Sequence, residues 1–214
     1  MKKLKGIAIV FATLLYCSGC SCTYSGSSNL VEKNSTKANN TNNQPGGVSS
    51  SSREIGNFNR INWQPWGEET YKKAQKENKP IFLWVNDSDE LSRKMEQESF
   101  EDRGIADIVN ENFIPVKLTQ KEKPEISAVY MKAVLKMTGE ESYPMTVFLT
   151  PDLKPFFAGS YFPVETANGN LPAFKKVLRR LASKWQKEPE NMVKLAEKMV
   201  ETIPLDIDKI KHTQ

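Results

Sequence analysis

The sequence predicts one three-layer α/β/α domain around a central mixed sheet, and three observations carry that reading. Residues 81–85 (IFLWV) and 145–149 (MTVFL) are continuous apolar runs, as expected of strands buried on both faces. Segments with helical hydrophobic spacing precede, separate and follow these runs, so strands and helices alternate along the chain. The length, 214 residues, suits one ordinary domain with tails and is thin for two.

Taken in order, residues 68–78 read as a helix that Pro80 ends. The strand at 81–85 is followed by a polar loop over 86–92 that leads into a helix through about Ser99. Ile105, Ile108, Val109 and Phe113 recur at helical spacing, and 114–118 reads as the next strand. Pro124, at a first-turn position, opens a helix carrying Ile126, Val129, Tyr130, Ala133, Val134 and Met137. After the strand at 145–149, Pro151-Asp152 gives a turn and 155–162 a further strand, placed near an edge by its prolines. Leu171, Phe174, Leu178, Leu181 and Trp185 mark an amphipathic helix, and 190–201 a last one with Val193, Ala196 and Val200 inward.

The N-terminal region has a different character. Lys2, Lys3 and Lys5 precede an apolar run over 6–16 and a small-residue exit, Ser18-Gly19-Cys20, which together read as an export signal. A helix of that run rises about 16 Å, half of a bilayer core, so it is too short to span. The exit resembles a bacterial lipobox with Cys20 as the lipidated residue, although Cys17 stands where an aliphatic residue is usual. A plain secretory signal is the alternative. Residues 23–57 are rich in Ser, Asn, Thr and Gly and cannot bury enough apolar surface to offset ordering, so they read as a tether. Its root-mean-square reach would be roughly 30–36 Å. The expected organisation is therefore signal 1–19, lipidated tether 20–57, folded domain 58–203 and polar tail 204–214.

Charge and cysteine placement narrow the function. The formal charge is +4, but without the three signal lysines the balance is 27 basic against 26 acidic residues, which removes the footprint of a nucleic-acid binder. Cys17, Cys20 and Cys22 all lie at the export junction, so the folded region contains no cysteine and can form no internal disulfide. His212, the one histidine, lies in the expected tail, which leaves no Ser/His or Cys/His arrangement in the domain. The glycines stand singly, giving no phosphate loop. Asp87-Ser88-Asp89-Glu90 suggests a calcium loop, but Ser92 occupies the position that needs glycine. Neither a metal nor a cofactor is expected.

Five motifs in one order carry a family resemblance: 61–69 (INWQPWGEE), 79–83 (KPIFL), 95–102 (MEQESFED), 143–152 (YPMTVFLTPD) and 159–163 (GSYFP). Together they resemble the thioredoxin-like domain of spermatogenesis-associated proteins and of short periplasmic disulfide oxidoreductases of the DsbH type. That resemblance implies a thioredoxin-like fold and a Cys-x-x-Cys beginning six residues before Met95-Glu96. Here those four positions are Asp89-Glu90-Leu91-Ser92. Dithiol exchange needs an attacking thiolate and a second thiol to resolve the mixed disulfide, and neither carboxylate nor hydroxyl replaces them. Asp89, or its neighbours Asp87 and Ser88, reads as the N-cap of the helix that follows. The resemblance also implies a cis bond before Pro144, with Tyr143 and Pro144 bordering a groove for an extended polypeptide, unless Pro144 serves the turn alone. Trp63 and Trp66 read as packing residues of the domain entry or as an aromatic contact surface. Leu91 reads as an exposed apolar contact or as a packing residue.

The leading expectation is a membrane-tethered, non-redox module in the bacterial envelope, at the outer membrane of a diderm cell. Its partner is a polypeptide or envelope protein, its membrane contact the N-terminal lipid, and nucleic acid is not a partner. Two alternatives stand beside it: a thiol–disulfide oxidoreductase or isomerase acting through Cys22 or a partner, and a structural envelope spacer with no specific ligand.

Overall fold

A computed structural model describes residues 60–165 and 172–211. The signal, Cys20, Cys22, the tether and His212 lie outside the described residues.

The order is α1 (Glu68–Glu77), β1 (Ile81–Asn86), α2 (Glu90–Met95), α3 (Arg103–Asn112), β2 (Ile114–Thr119), α4 (Pro124–Thr138), β3 (Met145–Leu149), β4 (Pro155–Gly159), α5 (Phe174–Lys187), α6 (Pro189–Thr202) and α7 (Ile207–Lys211). A π-helical segment, Glu96–Phe100, continues α2 without a break. The four strands lie in the order β2-β1-β3-β4. β1 is parallel to β2 and antiparallel to β3, which is antiparallel to β4.

The continuous apolar runs are explained by this arrangement. β1 is buried at every position and divides its side chains between two cores. Ile81, Leu83 and Val85 face the layer of α1, α4 and α7, where Tyr71, Ile126, Tyr130, Val134 and Ile210 pack. Phe82 and Trp84 face the layer of α3 and α5, among Ile105, Val109, Phe174 and Leu178. β3 alternates the same way, with Val147 on the first side and Phe148 on the second. This is the thioredoxin-like three-layer sandwich that the sequence predicts.

Three local differences from the sequence reading have physical causes. The strand expected over 155–162 ends at Gly159, because Phe162 turns its ring back onto that glycine. A Cβ at Gly159 would lie 2.5 Å from the Phe162 ring, which is itself stacked on Phe174 at 5.6 Å. The helix after β1 begins at Glu90, inside the stretch read as a loop. The stretch after residue 203 is not simply a polar tail. Leu205 is buried and α7 places Ile210 fully inside, where its carbonyl accepts a bond from Trp66 Nε1 at 3.3 Å. Two apolar residues spaced among charges were too sparse a pattern to reveal that helix.

Asp102 joins α3 to α5. It caps α3 by accepting from the Ile105 N–H at 2.7 Å and pairs with Lys175 at 3.1 Å. Burial alone would raise its pKa, but the Lys175 bond and the Ile105 N–H outweigh this and hold the carboxyl below its usual value. A depressed folded-state pKa means the stabilisation is present above the unfolded value, about 3.9, and fades as pH falls through the folded one. Asp102→Ala is expected to lower stability by about 1–2 kcal/mol at pH 7 in urea unfolding, and the gap to the parent should narrow below about pH 4.

Candidate functional site

The end of β1 fixes the site. Val85 pairs with Met145, so Asn86 and the loop beyond it emerge beside Pro144 at one end of the sheet. Ser88 in that loop has φ of 59°, a left-handed conformation that turns the chain from β1 into α2. The Tyr143–Pro144 peptide bond is cis. The Tyr143 hydroxyl lies 2.6 Å from Ser127 Oγ of α4, which fixes the ring against the first core.

Asp89 is the N-cap of α2: its carboxylate accepts from the Ser92 N–H at 2.6 Å. The side chains beyond it divide sharply. Glu90 is exposed, Leu91 is 45% exposed, and Ser92 is 1% exposed. Leu91 is therefore a surface apolar residue in the first turn of α2, and Ser92 faces inward. Trp63 and Trp66 are packing residues. Trp63 packs among Phe82, Trp84 and Phe100 at 5.1–6.3 Å in tilted and edge-on arrangements, and Trp66 meets Tyr71 edge-on at 5.2 Å.

Beneath α2 lies a polar cluster that no motif announced. Glu96 forms an ion pair with Lys117 of β2 and also accepts from Asn86 Nδ2 at 3.4 Å. The Lys117 ammonium lies 5.3 Å above the Trp84 ring. Ser92 Oγ, Asn86 Oδ1 and Trp84 Nε1 are buried here with no hydrogen-bond partner among the described residues. The spacing of Glu96 and Lys117 along the chain gives no hint of their pairing, because only the parallel β1–β2 register brings them together. The far side is held by the 159–163 segment. Thr146 Oγ1 donates to the Ser160 carbonyl at 2.9 Å, and Ser99 Oγ to the Phe162 carbonyl at 3.2 Å. Burial raises the Tyr161 pKa; Lys94, 5.8 Å from the ring, works against that and Glu98 with it. Among the described residues no group of three or more His, Cys, Asp or Glu side chains could hold a metal ion.

The Thioredox_DsbH family model, described as a protein of unknown function (DUF255), matches residues 49–204. The chain belongs to this DsbH-type thioredoxin-like family. An uncharacterized protein of Caenorhabditis elegans is 42% identical over 135 residues, 63% of this chain and 18% of its own length. Spermatogenesis-associated protein 20 of Rattus norvegicus is 38% identical over 142 residues, 66% of this chain and 18% of its own. The chain thus spans under a fifth of these relatives. Among solved structures, a DsbH oxidoreductase is similar over 67% of this chain and 96% of its own, with 16% identity and a TM-score of 0.45.

Where this family resemblance implies a second thiol, the chain carries the Ser92 hydroxyl. A thiol is a weak donor and weak acceptor, so it is buried unpaired at little cost; a hydroxyl in the same place loses its water bonds. Ser92→Ala is expected to raise stability by about 1–3 kcal/mol, read as a higher urea midpoint at unchanged slope. A lower midpoint would mean that Ser92 Oγ has a partner in solution.

Proposed function

We propose that this protein is a non-redox member of its family, a thioredoxin-fold module that binds an extended polypeptide at the Asp89–Ser92 tip and the Tyr143–Pro144 border. One observation carries the reading: an apolar side chain, Leu91, stands exposed at the tip of an intact scaffold whose two thiol positions are a helix cap and a buried hydroxyl. The scaffold gives a partner a rigid surface, while the residues at 89 and 92 give it no electrons to exchange. Leu135 on α4 is the other large apolar residue exposed among the described ones, and it lies on a different element.

We further propose that the domain is exported and held on a bacterial envelope membrane through a lipid on Cys20. The basic start, short apolar run and small-residue exit of residues 1–20 support this. No described helix is long and apolar enough to cross a membrane.

Two measurements test the binding module. The parent should not reduce insulin, whereas Asp89→Cys with Ser92→Cys should gain that activity, with a thiol at position 89 titrating below about 8.5 because it sits at a helix start. Reduction by the parent would overturn the non-redox reading. In fluorescence anisotropy with a labelled, reduced and carboxymethylated polypeptide, Leu91→Asp should weaken binding about tenfold, from the loss of one apolar contact. Leu135→Asp should leave it unchanged. Equal effects of the two substitutions would remove the tip from the binding surface.

A further inference from the structure

A second built feature lies away from α2. A cleft of about 410 Å³ runs along the outer edge of β4, within the size range of ligand pockets. Phe156 and Ala158 of β4 line it, with Met137 of α4 on one side and Met192 and Leu195 of α6 on the other. α6 passes across this edge: Met192 and Ala196 belong to the core beneath α5, whereas Met199 and Val200 reach the core beneath α4. The edge is thus covered by side chains rather than by a further strand. The Ala158 N–H finds a thioether, Met137 Sδ at 2.8 Å, as its acceptor, and sulfur is a weak one. An added peptide strand would have to displace α6. A slender flexible chain would not, and two methionines give walls that adapt to one.

Charge identifies the rest of the ligand. α5 carries six Lys or Arg residues and no acid. Lys176, Arg180 and Lys184, spaced four apart on one stripe, line the cleft beside its apolar walls. Lys175 pairs with Asp102, but Lys176 and Lys184 are in no ion pair among the described residues. The acid in the lining, Glu188, is tied to Asn191 at 3.2 Å. A small anion would leave the apolar walls unused, and a neutral hydrocarbon would leave the cations unused. A flat bilayer cannot enter a cleft between two helices. We propose that the cleft binds a long-chain fatty acid, its alkyl chain between β4 and α6 and its carboxylate on the Lys176–Arg180–Lys184 row.

The test uses the full chain in phosphatidylcholine nanodiscs, photolabelled with a diazirine analogue of palmitate and mapped by peptide mass spectrometry. Labels should fall on peptides containing Phe156–Ala158 and Met192–Leu195, and palmitate should compete at least tenfold better than hexadecanol. Lys176→Glu with Lys184→Glu should cut labelling at least tenfold, as should Leu195→Trp, which fills the cleft from a partly exposed position. Should the charge reversal lose its thermal transition, the Gln pair at the same positions replaces it. Labelling that ignores the cations, falls on the α2 peptides, or rises with added anionic lipid would overturn the proposal, the last by revealing a bilayer-docking face.

Discussion

Burial of β1 on both faces is the constraint from which the rest follows. Each of its six residues is enclosed, with parallel β2 on one side and antiparallel β3 on the other. A strand in that position cannot slip by one residue without exchanging Phe82 and Trp84 for Ile81, Leu83 and Val85 between two differently shaped cores. Its end is therefore fixed, and with it the Ser88 turn, the start of α2 and the meeting with Pro144. The same register lays Lys117 beside Trp84 and under Glu96. The tip is positioned by the fixed register of the strand beneath it.

The two substituted positions respond oppositely to that placement. Position 89 faces the free N–H groups of a helix start, where a carboxylate is among the best residues and contributes about 0.5–2 kcal/mol. Position 92 faces inward, where a hydroxyl with no partner among the described residues is costly. One change strengthens the helix and the other weakens the core beneath it. The energetic difference between them says nothing about catalysis. It concerns only how well the scaffold accommodates a carboxylate at 89 and a hydroxyl at 92.

Much of this was legible in the sequence, for identifiable reasons. β1 and β3 were readable because doubly buried strands leave unbroken apolar runs, and α5 because its apolar residues keep one face. The cap at Asp89 was readable because capping is local, needing a carboxylate and an N–H three residues on. The exact start of α2, the π-helical continuation through Phe100 and the return of Ile210 to Trp66 were not. The first two depend on helix-end details that propensity does not resolve. The last joins residues 144 apart, and its helix has too few apolar positions to announce itself. Glu96 with Lys117 failed for a related reason: ion pairs across elements leave no spacing signature.

The cleft at β4 was hidden for another reason again. Met137 and Leu181 read correctly as apolar-face residues of their helices, and both are buried; what the pattern could not convey is that the layers above and below β4 fail to meet. That gap arises because α6 crosses the sheet edge instead of lying along one face. An edge strand needs cover to prevent pairing with other chains, and a helix laid obliquely over it supplies cover while leaving space beneath. The thioredoxin-like layers fix the tip through β1, whereas this space depends on α6, at the opposite edge of the sheet from β2. The two surfaces thus rest on different elements, and a change at either can be read without disturbing the other.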